Sequence, residues 1–239
     1  MGIPERRERE KEHLRASIIE AARDLLSEQG LAALSMRAIA ERIEYSPATI
    51  YLYFKDKEAL ISEVVRAGFR QLEEYVGEEL ERVGETASAA DRYSAIGHAY
   101  GRFALENTAY FRVMFELPSA ARVDCPAGGG HAQPDRDPFG VVTLLQQAEA
   151  EGLAGLGDVR KAAMIGWGLI HGLTSLYLSG HLGRFATTGE EFLEFLEEAK
   201  HSLYWGWRTG RSEGTSVGGG PAAASAGGEA VLREGSRNR

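Results

Sequence analysis

Apolar residues recur at helical spacing through the first part of the chain. The first such stripe consists of Leu14, Ile18, Ala21 and Leu25. Because these positions follow one another at steps of four, three and four residues, they mark one face of a helix. The pattern predicts a helix from about residue 4 to Gly30, a residue type suited to a helix C-terminus. Similar patterns predict short helices at 35–43 and 46–54, and a longer one from 56 to about 83.

Capping residues mark where three of these helices begin. Ser35, Ser46 and Asp56 can each accept hydrogen bonds from N–H groups of a first helical turn, and Pro47 suits a first helical position. A short turn joins the second helix to the third, and together with the first helix this makes a helix-turn-helix arrangement. Since no segment alternates with a period of two residues, the sequence predicts an all-α fold.

Helical patterns continue to about residue 207. The predicted helices lie around 93–103, 109–117, 139–150, 158–180 and 190–207. Residues 119–138 are rich in glycine and proline and predict a long, mobile loop. From residue 209 Gly, Ser and Ala dominate, which predicts a disordered tail over 209–239. We divide the remainder into a helix-turn-helix domain at 1–55 and a helical ligand-binding and dimerisation domain at 56–208.

The composition is that of an ordinary globular protein, with 44% hydrophobic and 26% charged residues among 239. The net charge of −8 argues against a generally basic surface, but the charge is unevenly distributed. Residues 1–70 carry twelve basic and twelve acidic side chains, whereas 71–239 carry fifteen and twenty-three. The basic residues within 6–11 favour an anionic partner, although the glutamates between them equally fit a solvated helix with ion pairs.

Few residues suggest catalysis or metal binding. The single cysteine, Cys125, excludes an intrachain disulfide and a cysteine-based zinc site, and the six histidines lack compact metal-ligand spacing. The glycine-rich segment 152–157 has neither the spacing of a phosphate loop nor that of a dinucleotide fingerprint. We therefore predict no enzyme activity, no cofactor and no metal. Charged residues follow Met1 so closely that no secretory signal is predicted.

Residues 162–183 contain no formally charged side chain, and a segment of this length could span a bilayer. Five glycines, two histidines and several hydroxyl residues make the segment more polar than a typical spanning helix, so we predict no membrane association. An uncharged helix is otherwise buried on most faces. We predict that it lies between its own domain and a second subunit, with Gly168 and Gly172 allowing close backbone approach.

The helix-turn-helix segment carries a specific motif. It reads Ser35-Met36-Arg37-Ala38-Ile39-Ala40-Glu41-Arg42-Ile43, then Ser46-Pro47-Ala48-Thr49-Ile50-Tyr51-Leu52-Tyr53-Phe54, then Lys57-Glu58-Ala59-Leu60. This combination resembles the TetR family of transcriptional regulators, closely over residues 10–60 and more loosely over the helical remainder. The resemblance implies an N-terminal three-helix DNA-binding domain and a C-terminal helical bundle that dimerises and binds small molecules, which loosen the grip on DNA.

The chemistry of the motif supports a DNA-reading role for the third helix. Ile39, Ile43, Ile50 and Phe54 are spaced to bury against the first helix. The outward residues can then enter a major groove, where Pro47 and Ala48 suit thymine methyl groups and Arg37 can bind guanine through two N–H groups. Tyr51 and Tyr53 are either phosphate donors or core aromatics. The predicted DNA contacts are Ser35, Arg37, Ser46, Pro47, Ala48, Thr49, Tyr51, Leu52, Tyr53 and Lys57.

Two positions depart from the family pattern. Glu44 stands in the turn where family members usually carry glycine. If the turn requires a left-handed conformation, glutamate costs about 1 kcal/mol there, and its negative charge would lie near DNA. Leu52 offers no hydrogen bond to a base, so specificity would rest on few direct contacts and on DNA shape.

A second motif lies in the C-terminal half. The segment Trp167-Gly168-Leu169-Ile170-His171-Gly172 looks like the Trp-x-x-x-His-Gly element of one group of TetR-family regulatory domains. Trp167 and His171 stand one turn apart on the same helix face. They either line an effector pocket or the dimer seam, or form a hydrogen-bonded pair in the core. The same choice, ligand pocket or plain core, applies to Tyr93, Tyr100, Phe103, Tyr110, Phe111, Met114 and Phe115.

These patterns predict a cytoplasmic, homodimeric transcriptional regulator, and specifically a repressor that a small hydrophobic effector releases from a double-stranded DNA operator. The dimer is predicted to form through the helices near 158–180 and 190–207, so that two recognition helices read half-sites about one turn apart or slightly more. The alternative is a small-molecule-binding or scaffolding helical protein whose helix-turn-helix has lost its affinity for DNA. Glu44 is the residue that supports this alternative.

Overall fold

A computed structural model describes residues 3–115, 137–152 and 155–209 of the chain. In these ranges the chain forms only helices, and the predicted all-α class is confirmed. The helices are α1 (Ile3–Gln29), α2 (Met36–Arg42), α3 (Pro47–Tyr51), α4 (Lys57–Val83), α5 (Ala89–Glu106), α6 (Thr108–Phe115), α7 (Val141–Ala150), α8 (Val159–Leu178) and α9 (Gly189–Thr209). A 3₁₀ turn at Pro138–Gly140 leads into α7. The predicted loop at 119–138 and the predicted tail at 209–239 lie almost wholly outside the described residues, as does Cys125.

The three predicted caps are confirmed by their hydrogen bonds. The side-chain oxygen of Ser35 accepts from the N–H of Ala38 at 3.0 Å. Asp56 accepts from the N–H of Ala59 at 2.7 Å, and Ser46 caps α3 in the same way. Each bond satisfies a backbone donor that has no partner within its own helix. The starts of α2, α3 and α4 are therefore set by residues that the local sequence identifies.

The third helix is shorter than predicted, since α3 ends at Tyr51 rather than near Phe54. Beyond Tyr51 the chain tightens, and the N–H groups of Leu52 and Tyr53 donate to carbonyls three residues back. Bonds of this type close the last turn of many helices. The extended backbone of Asp56 (φ −156°) then starts α4.

The N-terminal core forms where α1, α2, α3 and α4 meet. Ile18, Ile39, Ile50 and Leu60 are fully buried there, whereas Ile43 is only half-buried. Arg42 donates to both carboxylate oxygens of Glu28 at 2.8 and 2.9 Å and so ties α2 to α1. The short helices α2 and α3 thus rest on a scaffold made by the two long ones.

Helix α6 joins this N-terminal unit to the rest of the bundle. It packs on α1, α4 and α5. The guanidinium of Arg23 on α1 lies 4.9 Å from the ring centroid of Tyr110 on α6. A Cβ placed on Gly68 of α4 would lie 2.5 Å from Sδ of Met114, so the absence of a side chain at Gly68 permits close packing of α4 against α6.

Helix α8 buries one face and exposes the other. Gly166, Ile170 and Thr174 lie on the buried side. On the opposite side Met164 and Ile165 are 53% and 55% exposed. A Cβ placed on Gly168 or on Gly172 would also meet only open space. One face of α8, along its uncharged part from residue 162, is therefore uncovered in the single chain. None of the described helices is long and apolar enough to cross a membrane.

Candidate nucleic-acid interface and effector site

The outward face of α3 is open to solvent. Tyr51 is 56% exposed and Leu52 is 83% exposed, with Pro47 and Ala48 exposed on the preceding turn. The opposite face is closed, because Ile50 is fully buried. The interpretation of Tyr51 as a core aromatic is therefore wrong. Tyr53 differs from it, since its side chain is half-buried and packs against the core.

The turn before α3 holds a glutamate in a left-handed conformation. Glu44 has φ 60°. The N–H of Tyr45 donates to the carbonyl of Ala40 at 2.9 Å, and the N–H of Glu44 reaches the carbonyl of Glu41 at 3.4 Å. This pair of bonds is a Schellman motif, in which glycine usually occupies the position of Glu44. The suspected strain is therefore real and costs about 1 kcal/mol, because a Cβ crowds the backbone in this region.

Two predicted DNA contacts already have partners within the chain. The Nε of Arg37 donates to Glu41 at 2.8 Å, one turn along α2 and exposed to solvent. The Nζ of Lys57 donates to the carbonyl oxygen of Leu31 at 2.5 Å, and this contact is partly buried. An exposed ion pair is worth little and can be exchanged for another anion. Lys57, by contrast, also anchors the connection between α1 and α2.

The remaining predicted polar contacts lie at helix starts. Ser35 and Ser46 use their hydroxyl oxygens as caps, and the hydroxyls of Ser46 and Thr49 lie 3.0 Å apart. A capping hydroxyl accepts from the backbone and keeps its own hydrogen as a donor. Ser35 and Ser46 can therefore cap a helix and donate to a phosphate at the same time.

A basic groove runs beside the recognition helix. It lies between the first turns of α1 and the helix-turn-helix and is lined by Arg7, Arg9, Glu10, Lys11, His13, Leu14, Ser17, Ile43, Tyr45 and Tyr53. Glu5, Glu8 and Glu12, the other glutamates near the start of α1, do not line it. The helical geometry of α1 therefore places most of the basic residues within 6–11 in this groove, and most of the glutamates outside it.

In the C-terminal bundle, five aromatic side chains form a cluster centred on His171. Its ring stacks on Trp167 (centroids 5.0 Å apart, planes at 21°) and lies 5.0 Å from Phe115 and 5.5 Å from Phe111. The hydroxyl of Tyr100 is hydrogen-bonded to Nδ1 of His171 at 2.7 Å. We call these five residues the His171 cluster. Burial lowers the pKa of His171, so the imidazole is neutral at pH 7.

The other four residues of the predicted ligand set lie elsewhere. Tyr110 faces Arg23, and Met114 lies at Gly68. Phe103 is fully buried against the ring of Tyr75. Tyr93 lines a separate cavity of about 170 Å³ between α5, α8 and α9, together with residues that include Lys200, Tyr204 and Trp207. Burial raises the pKa of the Tyr93 hydroxyl to about 12.

Within residues 3–115, 137–152 and 155–209, no three His, Cys, Asp or Glu side chains are grouped as a metal site would require. The His98 ring instead pairs with a carboxylate, since its Nδ1 lies 2.9 Å from Oε1 of Glu197. Lys200 donates to the same oxygen at 2.6 Å. This group links α5 to α9.

Comparison with known families decides what this arrangement is. Residues 18–64 match the family described as "Bacterial regulatory proteins, tetR family". Residues 93–199 match the family described as "Tetracyclin repressor-like, C-terminal domain". Together the two matches cover more than half of the chain.

The chain belongs to the TetR family.

Relatives and solved structures of the TetR family agree with this assignment. The chain is 27% identical over 157 residues to the HTH-type transcriptional regulator Rv1816 of Mycobacterium tuberculosis. The aligned segment covers 63% of this chain and 61% of that relative. The match therefore spans less than two thirds of the relative's length. UidR of Escherichia coli, an HTH-type transcriptional regulator, is 41% identical over 56 residues, 23% of this chain and 29% of UidR. A solved TetR family transcription regulator from Marinobacter aquaeolei VT8 has the same fold, with a TM-score of 0.64, 20% identity, and coverage of 82% of this chain and 96% of that one.

Sequence reasoning missed part of the TetR-type N-terminal unit. It noticed the basic residues of α1 but did not place Arg7, Lys11 or Tyr45 in one groove. The signal was the periodicity of charge, because Arg7 and Lys11 are four residues apart and so share a helix face. Tyr45 is 50% exposed and follows the left-handed residue Glu44. The direction of the Tyr45 side chain depends on that backbone conformation, which the sequence pattern does not show.

Proposed function

We propose that this TetR-family chain is a sequence-specific DNA-binding transcriptional regulator, and that it acts as a repressor released by a small hydrophobic ligand. The observation that carries the proposal is the exposed face of α3. The side chains of Tyr51 and of Leu52, which follows it, are exposed to solvent there, whereas Ile50 on the opposite side is fully buried. Exposed apolar groups on a rigid helix are costly unless they have a partner, and a helix of this width fits the major groove.

Residues of α3 and of the neighbouring helix α2 support distinct kinds of contact. Pro47 and Ala48 offer apolar surface to thymine methyl groups. Arg37 can exchange its exposed ion pair with Glu41 for a guanine edge or a phosphate. Ser35 and Ser46 can donate to phosphates while capping their helices, and these backbone contacts fix the register of the protein on the duplex.

A homodimer completes the reading of DNA in this proposal. The uncovered face of α8 carries Met164, Ile165 and Leu176, with Gly168 between them leaving room for another backbone. Burial of apolar surface contributes roughly 25 cal/mol per Å², so this face favours a partner. A second copy related by a two-fold axis would cover it and would present two copies of α3 to a near-palindromic operator.

The effector would act through α6. Two residues of this helix, Phe111 and Phe115, belong to the His171 cluster. On its other faces Tyr110 contacts α1 and Met114 contacts α4. A ligand that enters the cluster therefore pushes on a helix that also touches the two long helices beneath α2 and α3. Because packed helices shift as units rather than deform continuously, a small displacement of α6 changes the separation of the two recognition helices.

A second candidate function rests on Glu44. Its strained conformation and its negative charge beside α3 both oppose DNA binding. A small-molecule-binding or scaffolding protein with an inactive helix-turn-helix is therefore the alternative.

Selection of bound sequences from a pool of random duplex DNA tests the proposal. We expect the purified protein, at near-physiological salt, to enrich a two-fold-symmetric motif. Tyr51→Ala should enrich nothing while remaining dimeric, and Arg70→Ala, a change at an exposed residue of α4, should behave as the unmodified protein does. No enrichment by a folded, dimeric protein would overturn the proposal. If Glu44→Gly then restored enrichment, the alternative function and its cause would both be established.

A further inference from the structure

One N–H group of the His171 cluster is buried without a hydrogen-bond acceptor. The Nε1 of Trp167 is inaccessible to solvent and has no partner among the residues that the structure describes. An indole nitrogen is only a donor, so it cannot be satisfied by a neighbouring N–H or O–H hydrogen. Buried donors are almost always paired, and one that is not needs an explanation.

The ring partners that Trp167 has among the described residues are aromatic and neutral. Its ring stacks on His171 and lies 6.4 Å from Phe115. In the described ranges the arginine–ring contacts fall on Phe54, Tyr110 and Tyr75, which are outside the cluster. These described ring partners supply no cation to a carboxylate that loses its hydration next to Trp167, and burial of an unpaired charge is strongly unfavourable. The chemistry around this donor therefore suits a neutral acceptor.

His171 offers a second donor of the same kind in one of its two neutral tautomers. Its Nδ1 is hydrogen-bonded to the hydroxyl of Tyr100. When that hydroxyl donates to Nδ1, the neutral imidazole carries its hydrogen on Nε2. Two ring N–H groups then belong to one stacked pair, one helical turn apart on α8.

We infer that the indole N–H of Trp167, assisted by the imidazole of His171, binds the oxygen acceptor of an uncharged aromatic ligand, such as an aryl ketone, ester or amide, whose ring packs on the partly exposed ring of Phe115. This inference rests on the proposed function only in that the bound molecule is the effector. Site and ligand match in two ways: the acceptor satisfies a donor that otherwise stays unpaired, and the ligand ring adds to an existing aromatic stack.

The first test needs no ligand. In the unliganded protein Trp167→Phe removes an unsatisfied donor and keeps an aromatic ring, so we expect Tm to stay the same or to rise by about 2–4 °C. The matched control is Trp207→Phe, because Trp207 packs on Tyr93 and Tyr204 outside the cluster. A fall in Tm for Trp167→Phe at least as large as that for Trp207→Phe would overturn the inference, since Trp167 would then act as a structural core residue.

The second test uses three probes of similar shape: naphthyl methyl ketone, ethylnaphthalene and naphthoate. We expect calorimetric titration to show the ketone binding to the unmodified protein and the carboxylate not binding. Loss of one hydrogen bond in Trp167→Phe should weaken ketone binding about tenfold and leave binding of the hydrocarbon unchanged. Equal loss for ketone and hydrocarbon, preference for the carboxylate, or failure of the ketone to bind would each overturn the inference.

Neither readout involves DNA. A protein that binds the ketone through Trp167 but selects no DNA sequence would overturn the proposed regulator function and leave this inference standing. A protein that selects a DNA motif but fails both ligand tests would do the reverse.

Discussion

The hydroxyl of Tyr100 on α5 lies 2.7 Å from Nδ1 of His171 on α8. This bond fixes the imidazole at the centre of an aromatic cluster whose other members come from α6 and α8. Since α6 also packs on α1 and α4, the cluster lies one helix away from the N-terminal unit.

The burial of His171 predicts a pH dependence of stability. Burial lowers its pKa below the ordinary value of about 6.5, so the unfolded chain binds the proton more readily than the folded chain does. The free energy of unfolding should therefore fall as the pH drops below about 6.5, and stop falling from this cause below the folded pKa. Urea denaturation between pH 7.5 and pH 5, a range that extends at least about one unit either side of the ordinary pKa, would measure this fall in the free energy of unfolding. His171→Gln should flatten the curve, and an identical pH slope in both proteins would refute the prediction.

Glu44 predicts a gain of stability on substitution. Glu44→Gly removes the left-handed strain and should raise Tm by about 2–4 °C, which corresponds to ~1 kcal/mol. Glu44→Gln keeps the strain and removes the charge, so its Tm should not change. Both variants should bind DNA more tightly, because each removes a negative charge beside α3. A rise in Tm in Glu44→Gln, or no rise in Tm in Glu44→Gly, would show that backbone strain does not limit the stability at this turn.

Lys57 is expected to affect both DNA binding and folding. Lys57→Met should lower the slope of log K against log salt by about one, on every DNA sequence, because one phosphate contact is lost. It should also lower Tm, because the ammonium no longer donates to the carbonyl of Leu31. Arg70→Met, a change at an exposed residue further along α4, serves as the control for both measurements. A lower Tm with an unchanged salt slope would remove Lys57 from the DNA contacts and leave it as an anchor only.

The basic groove on α1 predicts a dependence on DNA length. Arg7→Ala combined with Lys11→Ala should weaken binding to a duplex that extends beyond the selected motif and lower its salt slope by up to about two. On a duplex trimmed to the motif the effect should disappear. Arg6→Ala is the control, because Arg6 does not line the groove. Equal weakening on both duplexes would contradict contact with the flanking DNA.

The exposed face of α8 predicts a dimer that one substitution can split. Ile165 is 55% exposed in the single chain, so Ile165→Glu should leave the helical circular dichroism unchanged. In a dimer the new carboxylate would be buried without a partner, and light scattering should then show a monomer. Leu52→Glu, an equally drastic change at a residue on the DNA-facing side, should remain dimeric. A dimer that survives Ile165→Glu would place the interface on another surface.

Local sequence rules predicted the helices better than they predicted the site. The caps at Ser35, Ser46 and Asp56 depend on residues three positions away, so the sequence contains everything needed to find them. The left-handed turn at Glu44 could be suspected only from the resemblance to a family with glycine there. The bond from Lys57 to Leu31 could not be predicted, because it joins residues 26 positions apart.

The ligand set shows the same limit. Tyr93 and Tyr100 lie on one face of α5, so their spacing suggested one pocket. Seven residues of helix separate them by about 10 Å along its axis, and α8 and α9 close over each layer separately. Tyr110 and Phe111 are neighbours in sequence but point about 100° apart, which sends one to Arg23 and the other to His171. Helical periodicity gives the face of a side chain but not the layer or the partner helix.

The central claim is that α3 reads a DNA sequence, and a ratio of dissociation constants tests it most directly. Fluorescence anisotropy would compare the selected motif with a scrambled duplex of equal length, at about 0.15 M salt, for the unmodified protein and Tyr51→Ala. We expect the unmodified protein to prefer the motif by at least about 10³-fold, and Tyr51→Ala to lose most of that preference while keeping its weak binding to any duplex. A ratio near one for the unmodified protein, or an unchanged ratio in Tyr51→Ala, would contradict the account.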